Sequence, residues 1–65
     1  MASKTGVRVK LIGIDGNAFM ILGQVTREMR RAKVSPEIIE EYKKEATSGD
    51  YNHLLAVTLK YVDPY

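Results

Sequence analysis

The chain has 65 residues, 45% hydrophobic and 28% charged, with no cysteine and a formal net charge of +2. That length holds one small domain without disulfide staples, whose core supplies about 3–5 kcal/mol at most, and the composition excludes a disordered or fibrous chain. The longest apolar runs, Ala18 to Leu22 and Leu54 to Val57, fall far short of the roughly 20 residues a bilayer crossing needs. No charged-then-apolar signal segment opens the chain, so a cytoplasmic location is expected. The charge is uneven: residues 1–34 carry seven Lys/Arg against two acids, and residues 35–65 carry three Lys against six. In a compact fold such halves either compensate each other or leave one basic face for an anionic partner.

Residues 1–6 are small and polar and are expected to be mobile, leaving residues 7–65 as a single domain. Val7, Val9 and Leu11 then alternate with Arg8 and Lys10 at the period of a half-buried strand. Gly13-Ile14-Asp15-Gly16-Asn17 is turn chemistry, in which Asp15 or Asn17 caps the next helix. From Ala18 to about Lys33 the positions Ala18, Leu22, Val25, Met29 and Ala32 recur at spacings of three and four and predict a first helix. Ser35 caps a second helix over Pro36–Ala46, with Pro36 in the first turn and Glu37 at the positive end of the dipole. Its buried edge is Ile38, Ile39, Tyr42 and Ala46, and Glu40 has the spacing to pair with Lys44 on the wet side. Thr47-Ser48-Gly49-Asp50 closes it, and Asp50 caps a third helix from Tyr51 to Val62, ended by Asp63-Pro64. The expected class is α+β and mainly helical, in the order β-α-α-α.

A lone strand leaves its backbone groups unpaired. The simplest partner is the same strand of a second copy, in a two-fold homodimer; the competing partner is the Tyr61-Val62 segment. The third helix is apolar round more than half its circumference, with Asn52, His53, Ala56 and Lys60 as its polar side. Such breadth also suits a subunit interface.

Few residues suggest chemistry. Asp15-Gly16-Asn17 lacks the lysine and spacing of a nucleotide loop and reads as a capped turn. His53, the single histidine, and Asp50 fall short of the three or four ligands a metal site requires. Ser48 and Thr47 have no base pattern beside them, and Glu37, Glu40, Glu41 and Glu45 form a solvated helix face. Neither catalytic residues nor a cofactor or metal is expected. Of the four tyrosines, Tyr42, Tyr51 and Tyr61 fall on apolar faces and read as core.

The first helix carries the candidate surface. Opposite its apolar stripe lie Met20, Gly23, Gln24, Arg27 and Arg31, with Phe19 at the flank. Glycine inside a helix costs about 1 kcal/mol relative to alanine, which suggests the close approach of another surface. Phe19, Met20, Gly23, Gln24, Arg27 and Arg31 are therefore the expected partner-binding residues of a non-catalytic binding or regulatory module.

Arg8 and Lys10, alternating with Val7, Val9 and Leu11 ahead of helices, are similar to the start of ribbon-helix-helix repressors. That resemblance implies a dimeric strand pair reading DNA through Arg8 and Lys10. The glycine-containing connector, the long first helix, the third helix and the acid at Pro36-Glu37 depart from that pattern, which makes nucleic-acid binding the second reading. A wider resemblance lies in Val9-Lys10-Leu11-Ile12-Gly13-Ile14-Asp15-Gly16-Asn17-Ala18-Phe19 with Ile21-Leu22-Gly23, and in Glu45-Ala46-Thr47-Ser48-Gly49-Asp50-Tyr51-Asn52-His53-Leu54-Leu55. These segments resemble a family of small uncharacterised bacterial and phage-type proteins, which implies a short intracellular protein and brings no activity with it.

Overall fold

A computed structural model of the chain describes residues 3–11 and 16–65. Its elements are β1 (Val7–Val9), α1 (Ala18–Arg31), α2 (Pro36–Ala46), α3 (Tyr51–Tyr61) and β2 (Val62–Pro64). The strand and the three helices occur in the expected order, and the class is α+β and mainly helical.

The strand does not stand alone. β1 pairs in parallel with β2, in the register Val7 with Val62, Arg8 with Asp63 and Val9 with Pro64. Pairing continues beyond the strands, with the Leu11 and Tyr65 amides donating to the Tyr65 and Val9 carbonyls at 2.9 Å each, and Lys4 and Thr5 to Lys60 and Tyr61 at 3.0 and 3.1 Å. The homodimer expected from an unpaired strand thus loses its premise, because the C-terminal segment supplies the partner. The expected end of the third helix moves with it: Val62 adopts extended angles (φ −136°, ψ 164°). Asp63 is held from helical angles by Pro64, whose missing N–H is tolerated at a sheet edge. A parallel pair requires a long crossover, and all three helices serve as that crossover.

α1 begins where expected, with the Asn17 side chain accepting from the Phe19 amide at 2.8 Å; Asp15 lies outside the described residues. Its buried row is Ile21, Val25 and Met29, with Leu22 partly covered. The expected stripe included Ala18 and Ala32, but both are exposed. They sit at the two ends of the helix, and Ile21, on the same i, i+4, i+8 row as Val25 and Met29, takes the central place. After Met29 the chain closes a Schellman turn, in which the Lys33 amide donates to the Arg30 carbonyl and Val34 to Met29. Lys33 sits there at φ 61°, a position that favours glycine.

In α2, Ser35 accepts from the Glu37 amide at 3.2 Å, and Ile39, Tyr42 and Ala46 are buried with Ile38 partly covered, as the spacing predicts. Glu40 meets Lys43 at 3.5 Å, one position short of the expected Lys44. α3, capped by Asp50 through the His53 amide at 2.9 Å, buries Leu54, Val57, Thr58 and Tyr61 between α2, α1 and β2. Its wide apolar surface is mostly consumed inside the chain, although Leu59 stays 57% exposed.

Polar groups in this core are satisfied. The Tyr42 and Thr58 hydroxyls lie 2.9 Å apart, and Thr58 donates onward to the Leu54 carbonyl at 2.8 Å, so Tyr42 is the donor to Thr58. Tyr61, edge-on to Tyr42 at 5.4 Å, donates to Glu45 at 2.8 Å, and Lys60 reaches the other oxygen of that carboxylate at 3.0 Å. Burial, followed by the hydrogen bond to Glu45, pushes the Tyr61 phenol above its ordinary range, and burial does the same to Tyr42.

Two predictions follow from these contacts. A raised phenol pKa means that the folded chain holds the proton more tightly than the unfolded one. Its stabilisation is complete below the ordinary tyrosine value of about 10 and is lost as pH climbs from there toward the folded value. Urea midpoints should fall as pH rises above about 10, and Tyr42→Phe should reduce the pH dependence; a midpoint unchanged across that window would contradict the account. Lys33→Gly removes the left-handed penalty and should stabilise the domain by about 0.5–1 kcal/mol in the same assay.

Candidate partner surface on the first helix

The six residues picked out on α1 lie on its outward side. Phe19 is 84% and Met20 54% exposed; Gly23, Arg27 and Arg31 are open, and Gln24 is half-buried at the border. A Cβ built on Gly23 meets nothing within 4 Å, so no described part of the chain demands a glycine there. Thr26, one turn on and half-buried, returns its hydroxyl to the Leu22 carbonyl at 2.9 Å.

The cations at the end of α1 differ in their engagement. Arg31 reaches Glu28 at 3.5 Å, while Arg27, Arg30 and Lys33 make no ion pair among the described residues. Elsewhere Glu40 meets Lys43, Glu41 meets Lys4 at 2.9 Å and Glu45 meets Lys60, while Glu37 and Asp63 make no ion pair among the described residues. The hydrogen bond from Lys60 holds the Glu45 carboxyl below the usual carboxylate range, and that from Lys4 does the same for Glu41.

The sequence reading missed the groove beside this face. Ala18, Phe19 and Leu22 form one wall, and Ala46, Thr47, Gly49, Asp50, Tyr51 and Leu54 form the other, around about 270 Å³. A second hollow of about 360 Å³ lies between Arg30 and Val34 on one side and Pro36, Ile39 and Glu40 on the other. The first opens between the start of α1 and the α2–α3 corner, and the second between the end of α1 and the start of α2. Leu22 and Arg30, two turns apart on one row of α1, reach one hollow each. The i, i+4, i+8 row Leu22, Thr26, Arg30 was visible in the sequence, but which helix lies beside it was not.

The far wall depends on a tight corner. His53 Nε2 lies 3.0 Å from the Glu45 carbonyl and 3.1 Å from Ser48 Oγ, which itself donates to the same carbonyl at 2.7 Å. A carbonyl only accepts, so Nε2 carries the proton and joins the start of α3 to the end of α2. The ring sits so close to the turn that a Cβ on Gly49 would lie 2.8 Å from its Cγ and Cδ2. Gly49 is required by this approach. Among the described residues no three His, Cys, Asp or Glu side chains gather as a metal site would require.

Arg8 and Lys10, the residues of the nucleic-acid reading, are both exposed at β1 and its end. The Arg8 guanidinium lies over the Tyr65 ring at 4.7 Å, and the strand beside it is β2 of the same chain. No protein-family profile, curated protein or solved structure matches the chain.

Gly49→Ala should destabilise the domain by about 1–3 kcal/mol, because an added methyl has no room against the imidazole. The double variant Gly49→Ala/His53→Ala should lose less than the two single changes combined, as a shared steric contact demands. Additive losses in thermal or urea unfolding would show that this contact does not set the corner.

Proposed function

We propose that the chain is a non-catalytic binding module acting through a protein–protein contact on the outer face of α1. The observation that carries this reading is the exposure of Phe19 and Met20 beside Gly23, whose missing side chain relieves no contact within the described chain. A large aromatic left in water and a glycine placed inside a helix both cost the isolated domain; in a complex, the first becomes an anchor and the second lets a partner approach closely. The partner is another protein or a second copy of this chain; self-association is no longer needed to complete the sheet.

The second reading, a nucleic-acid contact through Arg8 and Lys10, is supported by two exposed cations at alternate positions, one on β1 and one just past its end. The Arg8 guanidinium lies over the Tyr65 ring, and a contact resting on these two cations alone would be weak, with a shallow salt dependence, because the slope scales with the number of phosphates neutralised.

A photo-crosslinking amino acid placed at Phe19, with the exposed Ala56 of α3, which lines neither hollow, as control, separates these readings in cells producing the protein. We expect a discrete protein adduct from position 19 that is absent from position 56 and lost in Met20→Glu/Gly23→Arg; the adduct mass shows whether the partner is a second copy. Equal yields at both positions, or none at position 19, would overturn the proposal. Low-salt DNA binding abolished by Arg8→Glu/Lys10→Glu would put the second reading in its place.

A further inference from the structure

We infer that the partner of this face is an acidic, amphipathic segment of another protein, laid along α1 from one hollow to the other; the inference rests on the binding reading above and names its partner chemistry. The first hollow is mostly apolar, and the second has a cation on its α1 side. Phe19, Leu22 and Tyr51 line the first hollow, and Arg30 lines the second, with Arg27 on the neighbouring turn and Lys33 just beyond the helix end. Phe19 and Arg30 are eleven positions apart, or about 16 Å at 1.5 Å per residue, which is the length of about three turns of a bound helix.

Charge determines what fits. Arg27, Arg30 and Lys33 have no counter-charge among the described residues, and Glu28 is already engaged by Arg31. In a second copy Glu40, Glu41 and Glu45 are ion-paired within the chain and Asp50 caps α3, while Glu37 at the start of α2 and Asp63 in β2, which make no ion pair among the described residues, lie on separate elements and form no acidic stripe. A row of carboxylates along one face therefore comes from a different protein. A nucleic-acid strand laid along the same path would leave the apolar end unused, and Glu40 on the wall of the second hollow is paired with Lys43 at 3.5 Å. A lipid surface requires apolar residues along the whole length of a helix face, whereas those exposed on α1 are confined to its first turn.

The bound segment would place an apolar side chain between Phe19, Leu22 and Tyr51 and its acids two turns further on, against Arg27 and Arg30. Gly23, between the two ends, gives its backbone room to approach.

The probes are three synthetic helical peptides of three to four turns, titrated against the isotope-labelled chain by NMR. One carries Leu and Phe on one stripe with Glu beside it, the second has each Glu replaced by Lys, and the third is polyglutamate; a DNA duplex is the fourth ligand. Only the acidic amphipathic peptide should shift the amides of Phe19, Leu22, Gly23, Thr26 and Arg30. Phe19→Ser and, separately, Arg27→Glu should each weaken it by about tenfold or more. Equal binding of polyglutamate or DNA would overturn the inference by showing that charge alone suffices, as would shifts elsewhere or tighter binding of the Lys peptide. No response to any probe, with the crosslink from Phe19 intact, would overturn the acidic partner and leave the binding module standing; loss of that crosslink as well would remove both.

Discussion

Everything else in this chain is arranged by the hydrogen-bonded closure of its two ends. A 65-residue domain without cysteine has little core and no covalent staple, so pairing β1 with β2 ties the first and last described segments and sets the crossover that the helices must make. Parallel strands cannot be joined by a tight turn. Three helices therefore fill the interval, and Val9 and Val62, both fully buried, carry the sheet into the helical core.

Tyr61 is where that closure meets the helices. Its carbonyl accepts from the Thr5 amide and hydroxyl, its ring packs on Tyr42, and its phenol donates to Glu45 of α2. Lys4 and Lys60 flank the same ring at 5.1 and 5.9 Å and bind Glu41 and Glu45. These ion pairs are exposed, and each is worth little alone. They take up Glu41 and Glu45, two of the four acids of α2.

Local signals were legible in the sequence and distant ones were not. Asn17, Ser35 and Asp50 cap the helices assigned to them, and Ile39, Tyr42 and Ala46 face the core, because each depends on neighbours within one or two turns. β2 has no strand period of its own, since it is three residues ending in proline, and its pairing partner lies more than fifty positions away; the sequence therefore offers the Tyr61-Val62 segment only as the competing partner of a lone strand, behind a second copy. The α1 stripe drawn from the sequence includes Val25 and Met29, which are buried, and Leu22, which is partly covered, but it also takes in Ala18 and Ala32, which fit the period while lying at the helix ends, and omits Ile21. For the same reason the outer face of α1 could be located from its residues, but the groove beside it could not, since its second wall comes from the corner held by Gly49 and His53.

The claim on which the rest stands is that the sheet closes within one chain. Amide hydrogen exchange at Lys4, Thr5, Leu11 and Tyr65, measured at two widely separated protein concentrations, tests it most directly. Intramolecular pairing predicts protection of all four amides that is independent of concentration and comparable to that of the inner turns of α3. Protection that appears only at the higher concentration would place the partner strand in a second copy and contradict the account.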